Sequence, residues 1–132
     1  MSNKFYLLVA GSRTFTDAEL MDSKLSRILD RVALEFDQIV LVNGCARGAD
    51  ALALQLAKHC GWEVKLFPVD WDTYGKSAGY RRNREMHQFL AQHKNRGCVC
   101  FWDGESRGTA HNFSLAKEFD TPLRIIKFKA SK

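Results

Sequence analysis

Three nearly continuous apolar runs, Phe5 to Ala10, Gln38 to Val42 and Gly97 to Trp102, are each followed directly by a polar loop carrying glycine. Apolar runs without alternation are the signature of strands covered by helices on both faces of a sheet. The loops read Gly11-Ser12-Arg13, then Asn43-Gly44-Cys45-Ala46-Arg47-Gly48-Ala49-Asp50, then Asp103-Gly104-Glu105-Ser106-Arg107-Gly108-Thr109. An open parallel sheet uses such junctions to present backbone N–H groups and helix N-termini to an anion.

Helical patterns separate the runs. Met21, Leu25, Ile28, Val32 and Phe36 recur at helix spacing, as do Ala49, Leu52, Ala53, Leu56, Ala57 and Cys60. Thr16 with Glu19 suggests a capping box for the first helix. A third helix is expected over roughly Ala78 to His93, with Met86, Phe89 and Leu90 inward, and a fourth over roughly Thr109 to Phe119, with Pro122 before the last strand. Two further strand candidates, Glu63 to Phe67 and Leu123 to Phe128, interleave charged and apolar residues, as sheet edges do. Strands three and five therefore belong outermost. The expected architecture is a doubly wound α/β three-layer sandwich with a five-stranded parallel sheet in the order 3-2-1-4-5. Its switch point falls between strands one and four, so the Gly11 and Gly104 loops should face each other across the ligand crevice of such sheets.

A chain of 132 residues that is 45% apolar suits one domain, spanning residues 1–132, with its own core. Phe5 to Ala10 is too short for a signal h-region or a membrane span, so the expectation is a soluble, cytoplasmic protein with no membrane partner. Cys45, Cys60, Cys98 and Cys100 lack zinc-site spacing and are expected to be buried, reduced thiols. Cys98 and Cys100 would share one strand face, which leaves a redox pair as the alternative. The net charge of +5 invites a nucleic-acid reading, but its distribution argues otherwise. Arg81, Arg82 and Arg84 cluster in one segment and Lys127, Lys129 and Lys132 in the tail, whereas Arg13, Arg47 and Arg107 each lie in a glycine loop. Loop arginines suit one small phosphorylated ligand better than a long duplex.

The first loop offers backbone donors, the Ser12 hydroxyl and the Arg13 guanidinium, a phosphate cradle unless it is a plain turn. In the second, Gly44 and Gly48 allow a tight turn beside Arg47, and Asp50 is either a ligand contact or a cap and anchor for Arg47. In the third, Gly104 and Ser106 lead to Gly108 and Thr109, the strongest phosphate candidates; Thr109 as an N-cap is compatible with that role. The connection from Asp70 to Asn83 is long enough to be functional. Trp71 and Tyr74 either stack on a base or pack the loop, Lys76 adds a cation, and Arg82 with Asn83 reach phosphate or ribose. No metal site is implied, although Asp70 and Asp72 could recruit Mg2+ together with a phosphate.

Taken together, Gly-Ser-Arg behind strand one, Gly44-x-x-x-Gly48-Ala49-Asp50 behind strand two, Asp70-Trp71-x-x-Tyr74-Gly75-Lys76-x-Ala78-Gly79-x-x-Arg82-Asn83 behind strand three and Gly108-Thr109 behind strand four resemble the SLOG superfamily. This Rossmann-like group contains the DNA-uptake protein DprA and the LOG cytokinin-activating enzymes, and the similarity is greatest to its small YspA-type branch. The resemblance covers nearly the whole chain. It implies a crevice for a nucleotide or a nucleotide-derived, ADP-ribose-like ligand, in proteins often tied to bacterial or phage conflict systems. LOG enzymes instead cleave nucleoside 5′-monophosphates with a Pro-Gly-Gly-x-Gly-Thr-x-x-Glu motif. Here Ala110, His111 and Asn112 follow Gly108-Thr109, and the glutamate is absent. Hydrolysis would need a substitute among Asp50, Asp70, Asp103 and Glu105, with His111 as acid or base. Three readings result: nucleotide binding or sensing, phosphoribohydrolase activity, and DprA-like single-strand binding through Arg81 to Arg84 with Tyr80 stacking. Homo-oligomerisation is compatible with all three.

Overall fold

The computed structural model describes residues 3–129, so Lys132 of the basic tail lies outside the described residues. Along the chain run β1 (Lys4–Gly11), α1 (Ala18–Val32), β2 (Gln38–Asn43), α2 (Ala49–Cys60), β3 (Glu63–Leu66), α3 (Trp71–Tyr74), α4 (Ala78–Ala91), β4 (Arg96–Trp102), α5 (Arg107–Glu118) and β5 (Leu123–Lys127). All strand pairings are parallel, and the order is β3-β2-β1-β4-β5. The doubly wound Rossmann-like sheet expected from the edge-strand argument is thus present, with β3 and β5 outermost.

Alternation along β1 divides the core. Leu7 and Val9 point to the face covered by α1 and α2, where they join Met21, Leu25, Leu41, Ala53 and Phe101. Leu8 and Ala10 point to the opposite face, with Met86, Leu90, Cys98 and Cys100. The register of β1 on β4 runs to Gly11 opposite Phe101, so the first and third loops leave the sheet side by side. Among the described residues, no helix is long and apolar enough to cross a membrane.

Several local expectations are corrected. Asp17, not Thr16 with Glu19, caps α1: its carboxylate accepts the Leu20 N–H at 2.9 Å, and a carboxylate at that position also meets the positive end of the helix. Phe36 lies beyond the end of α1, its ring centroid 5.5 Å from that of Phe5. Residues 70–77 are not a plain loop. Asp70 caps the one-turn α3 by accepting the Thr73 N–H at 3.1 Å, a 3-10 turn follows at Gly75–Ser77, and α4 ends at Ala91. Ser106, not Thr109, is the N-cap of α5. Cys98 and Cys100 are buried on one strand face with sulfurs 3.8 Å apart, but Cys45 and Cys60 are exposed, one in a loop and one at the solvent end of α2.

Candidate functional site

At the carboxyl ends of β1 and β4 lies a cleft of about 400 Å3. Its floor is built from the first loop. The buried Ser12 accepts the Asp103 N–H on Oγ at 3.1 Å, and its own N–H donates to the Phe101 carbonyl at 2.9 Å, which ties loop one to loop three. The Ser12 carbonyl accepts from Phe15 and Ala49. Phe15, wedged 4.8 Å from both Phe101 and Phe128, locks the loop to the core below. Arg13 is exposed on the cleft wall with no carboxylate within salt-bridge distance among the described residues.

The second loop contributes less than its glycines suggest. Gly44, Arg47 and Gly48 do not line the cleft; of the expected residues only Asp50 does, joined by Ala46. Gly48 has φ +77°, and a side chain there would lie 2.5 Å from the Ser12 carbonyl oxygen, so this glycine holds loop two against loop one. Asp50 does not anchor Arg47, which is exposed. Instead its carboxylate, 5% exposed, accepts the Ala46 N–H at 3.1 Å and feels the charges of Arg82 and Arg13. Burial pushes its pKa up to about 6, against the lowering effects of that N–H and the two arginines. Asn43, buried at the end of β2, fixes the turn by donating to the Asp50 carbonyl at 2.8 Å and accepting the Cys45 N–H at 2.9 Å.

From α4, Arg82 donates through Nη1 to the Gly44 carbonyl and through Nε to Asn83 Oδ1 at 3.0 Å, which leaves Nη2 without an acceptor among the described residues. Burial lowers its pKa from the ordinary guanidinium value and the nearby Asp50 raises it. The buried Asn83 donates to the Gly108 carbonyl at 3.3 Å, as Asn112 does from within α5. Asn112 is in turn held by His87, whose Nε2 lies 2.9 Å from its side-chain oxygen. This amide network fixes the first turn of α5 beside the cleft. Trp71, Lys76 and Tyr80 form the outer rim, with Trp71 52% and Tyr80 47% exposed.

In the third loop Asp103 Oδ1 accepts the N–H groups of Glu105 at 2.9 Å and Ser106 at 2.8 Å, which hold its carboxyl below the usual range. It is a loop-shaping carboxylate and a poor proton donor. Ser106 caps α5 by accepting the Thr109 N–H at 3.4 Å, and its hydroxyl lies 3.0 Å from that of Thr109. The leading N–H groups of α5, at Arg107 and Gly108, have no intrahelical partner by helix geometry, and Ser106, Gly108 and Thr109 line the cleft. Gly104 lies behind the loop against Lys127, and Glu105 is exposed away from the cleft. His111 sits outside it, Nδ1 3.3 Å from Asn83 Nδ2 and its ring against Tyr80; desolvation lowers its pKa, so it accepts from Asn83 as a neutral ring. Asp70 and Asp72 do not reach the cleft, and no group of three or more potential metal ligands exists among the described residues.

Tyr80, expected as a stacking partner for a single strand, lines the cleft; Ala46, Met86 and Asn112 line it without having been singled out as ligand contacts. Only Asn112 carried a readable signal, as a polar side chain three residues after Thr109 on a helix face that packs inward.

Fold and site define a doubly wound α/β domain with a cationic cleft at its switch point. A profile of the YAcAr family (YspA, cpYpsA-related SLOG family) matches residues 5–74, and the chain belongs to this family. The match spans β1 through α3 and so includes loops one and two. The chain is also 34% identical over 122 residues to the Gene 61 protein of Mycobacterium phage D29, covering 89% of this chain and 92% of that protein. Two solved structures are similar at the level of fold. One is the C-terminal domain of a hydrogenase from Pyrococcus furiosus, with TM-score 0.46, 16% identity and coverage of 95% of this chain and 93% of that one. The other is described as a predicted subunit of tRNA methyltransferase from Methanocaldococcus jannaschii, with TM-score 0.40, 15% identity and coverage of 93% and 67%. At these scores they add nothing to the topology read from the strand pairing.

Proposed function

We propose that the domain binds a nucleotide or nucleotide-derived ligand of the ADP-ribose type in the switch-point cleft, as a sensing or binding module. Membership of a SLOG family suggests a nucleotide-related role of this kind. The observation that carries the reading is the convergence of Arg13, Lys76, Arg82 and the first turn of α5 on one cleft that holds two acids, Asp50 and Asp103, the second taken up by the backbone N–H groups of its own loop. Uncommitted donors around such a space favour a phosphate, and about 400 Å3 is within the usual range for small-ligand pockets.

Binding is preferred over glycoside cleavage on residue grounds. Glu105 and His111 do not reach the cleft, and Asp103 spends its carboxylate on the loop, so Asp50 alone remains as a carboxylate for hydrolysis. Incubation with nucleoside 5′-monophosphates should release no free base above a heat-inactivated control. Single-strand binding loses support because Arg81 stacks 4.5 Å over Tyr74 and Arg84 pairs with Glu118 at 2.7 Å, which takes two of the proposed contacts.

The test is a thermal-shift and calorimetry panel of nucleoside monophosphates, NAD, ADP-ribose and cyclic nucleotides. At least one should bind, with Arg13→Ala weakening it about tenfold or more, as expected for a lost charge-assisted hydrogen bond. Silence across the panel refutes the proposal.

A further inference from the structure

Asp50 is the one feature of the cleft that a phosphate does not explain. An anion at the cradle gains nothing from a buried carboxylate beside it. Yet Asp50 is 5% exposed and lines the cleft. One oxygen, Oδ2, takes the Ala46 N–H at 3.1 Å. The other, Oδ1, receives no hydrogen bond among the described residues, and no Lys or Arg nitrogen there lies within 4.0 Å of the carboxylate. The neighbouring guanidinium of Arg82 is turned to the Gly44 carbonyl and to Asn83. Although Asp50 as a whole is buried, Oδ1 is not among the buried unpaired atoms and so opens to solvent on the cleft side, where a donor brought by a ligand can reach it.

The donor is further defined by its surroundings. Arg13, Lys76 and Arg82 already make the cleft cationic, so a charged amine on the ligand would be repelled. That leaves a neutral donor, a hydroxyl or a base N–H. Asp50 stands in the first turn of α2, next to the first loop through the Ala49 N–H bond to the Ser12 carbonyl at 3.3 Å. It therefore lies deep in the cleft, close to the phosphate cradle. The exposed aromatic faces of Trp71 and Tyr80 lie at the rim, where a base has a stacking surface. In a nucleotide the sugar hydroxyls are the neutral donors nearest the phosphate.

We propose that Asp50 Oδ1 accepts a hydrogen bond from a ribose hydroxyl and makes the domain selective for ribonucleotide over deoxyribonucleotide ligands. This inference rests on the nucleotide reading given above. Discrimination of this kind is strong because a bound deoxy ligand covers the acceptor and leaves it unpaired.

Titration calorimetry of the full chain with the four ribonucleoside 5′-monophosphates and their 2′-deoxy and 3′-deoxy counterparts tests it. For whichever base binds, removal of one of the two hydroxyls should weaken affinity on the order of 10- to 100-fold. In Asp50→Asn the amide oxygen keeps the Ala46 N–H and its NH2 group faces the ligand, so the acceptor becomes a donor. The variant should lose the ribose preference and hold the deoxy form at least as tightly as the wild type does, an outcome that also shows it is folded. Binding with equal affinity for ribose and deoxy forms overturns this inference alone, as does a preference that follows the base and not the sugar. If neither a monophosphate nor NAD, ADP-ribose or a cyclic nucleotide binds a protein folded by circular dichroism, the nucleotide reading itself falls, and this inference with it; if only NAD or ADP-ribose binds, the same comparison is made with its 2′-deoxy and 3′-deoxy forms.

Discussion

Replacing Asp50 by Asn should stabilise the protein at neutral pH, although the residue is buried and hydrogen-bonded. Its carboxyl pKa is about 6 in the folded protein, against a reference value of 3.8. The folded state therefore holds this proton more tightly than the unfolded chain does. Between those two values unfolding releases a proton, so stability falls as pH rises through the interval. That difference corresponds to about 3 kcal/mol, absent below pH about 4 and fully expressed above pH about 7. The favourable dipole at the first turn of α2, worth about 0.3–1 kcal/mol for an exposed carboxylate, is too small to reverse the sign. Wild-type stability alone would blur the effect. Desolvation lowers the pKa of His87, His93 and His111, so their protonation costs stability as pH falls, in the opposite direction. The difference between wild type and Asp50→Asn cancels that contribution. Urea unfolding followed by circular dichroism at three pH values, about 4, 6 and 7.5, should give midpoints that coincide at the lowest and diverge progressively, with the variant more stable by about 3 kcal/mol at the highest. A variant less stable than wild type at neutral pH, or a difference that does not change with pH, would refute the burial argument.

Two further perturbations test the local structure. Gly48→Ala should cost at least about 2 kcal/mol in urea unfolding, because φ +77° with ψ −127° is open to glycine almost alone and the new methyl would meet the Ser12 and Arg13 backbone at 2.5–2.6 Å; Gly61→Ala, at φ +72° with nothing within 4 Å, should cost only about 1 kcal/mol. Asp17→Ala should lower stability by about 1 kcal/mol through loss of the α1 cap while Thr16→Ala stays within about 0.5 kcal/mol; the reverse ranking in the same assay would restore the Thr16 capping box.

The topology was legible because burial writes itself into composition. The unbroken apolar runs of β1, β2 and β4 and the charged alternation of β3 and β5 differ for a physical reason, two covered faces against one exposed edge, and that difference alone orders the sheet. The caps were less legible. Thr16 and Asp17 are both good N-cap types, and only the backbone decides which of them precedes the first helical N–H groups. The Asp70 to Ser77 segment read as a loop because its helical turns are too short to show a period.

The glycine loops were informative for the wrong reason at loop two. Gly48 and Gly44 stand there for contacts between protein segments, the first against the Ser12–Arg13 backbone and the second beneath the Arg82 guanidinium. Their effect on the site is indirect: by letting loop two and α4 close in, they bury Asp50 and hold Arg82 beside it without pairing the two. A sequence distinguishes a glycine that admits a ligand from one that admits a neighbouring strand or side chain only through partners distant in the chain, here Ser12 and Arg82. The same closeness makes Asp50 both a burden on stability and a competent acceptor. A residue chosen for stability at that position would be neutral, so a carboxylate kept there with one free oxygen argues that the cleft is completed by something that donates to it.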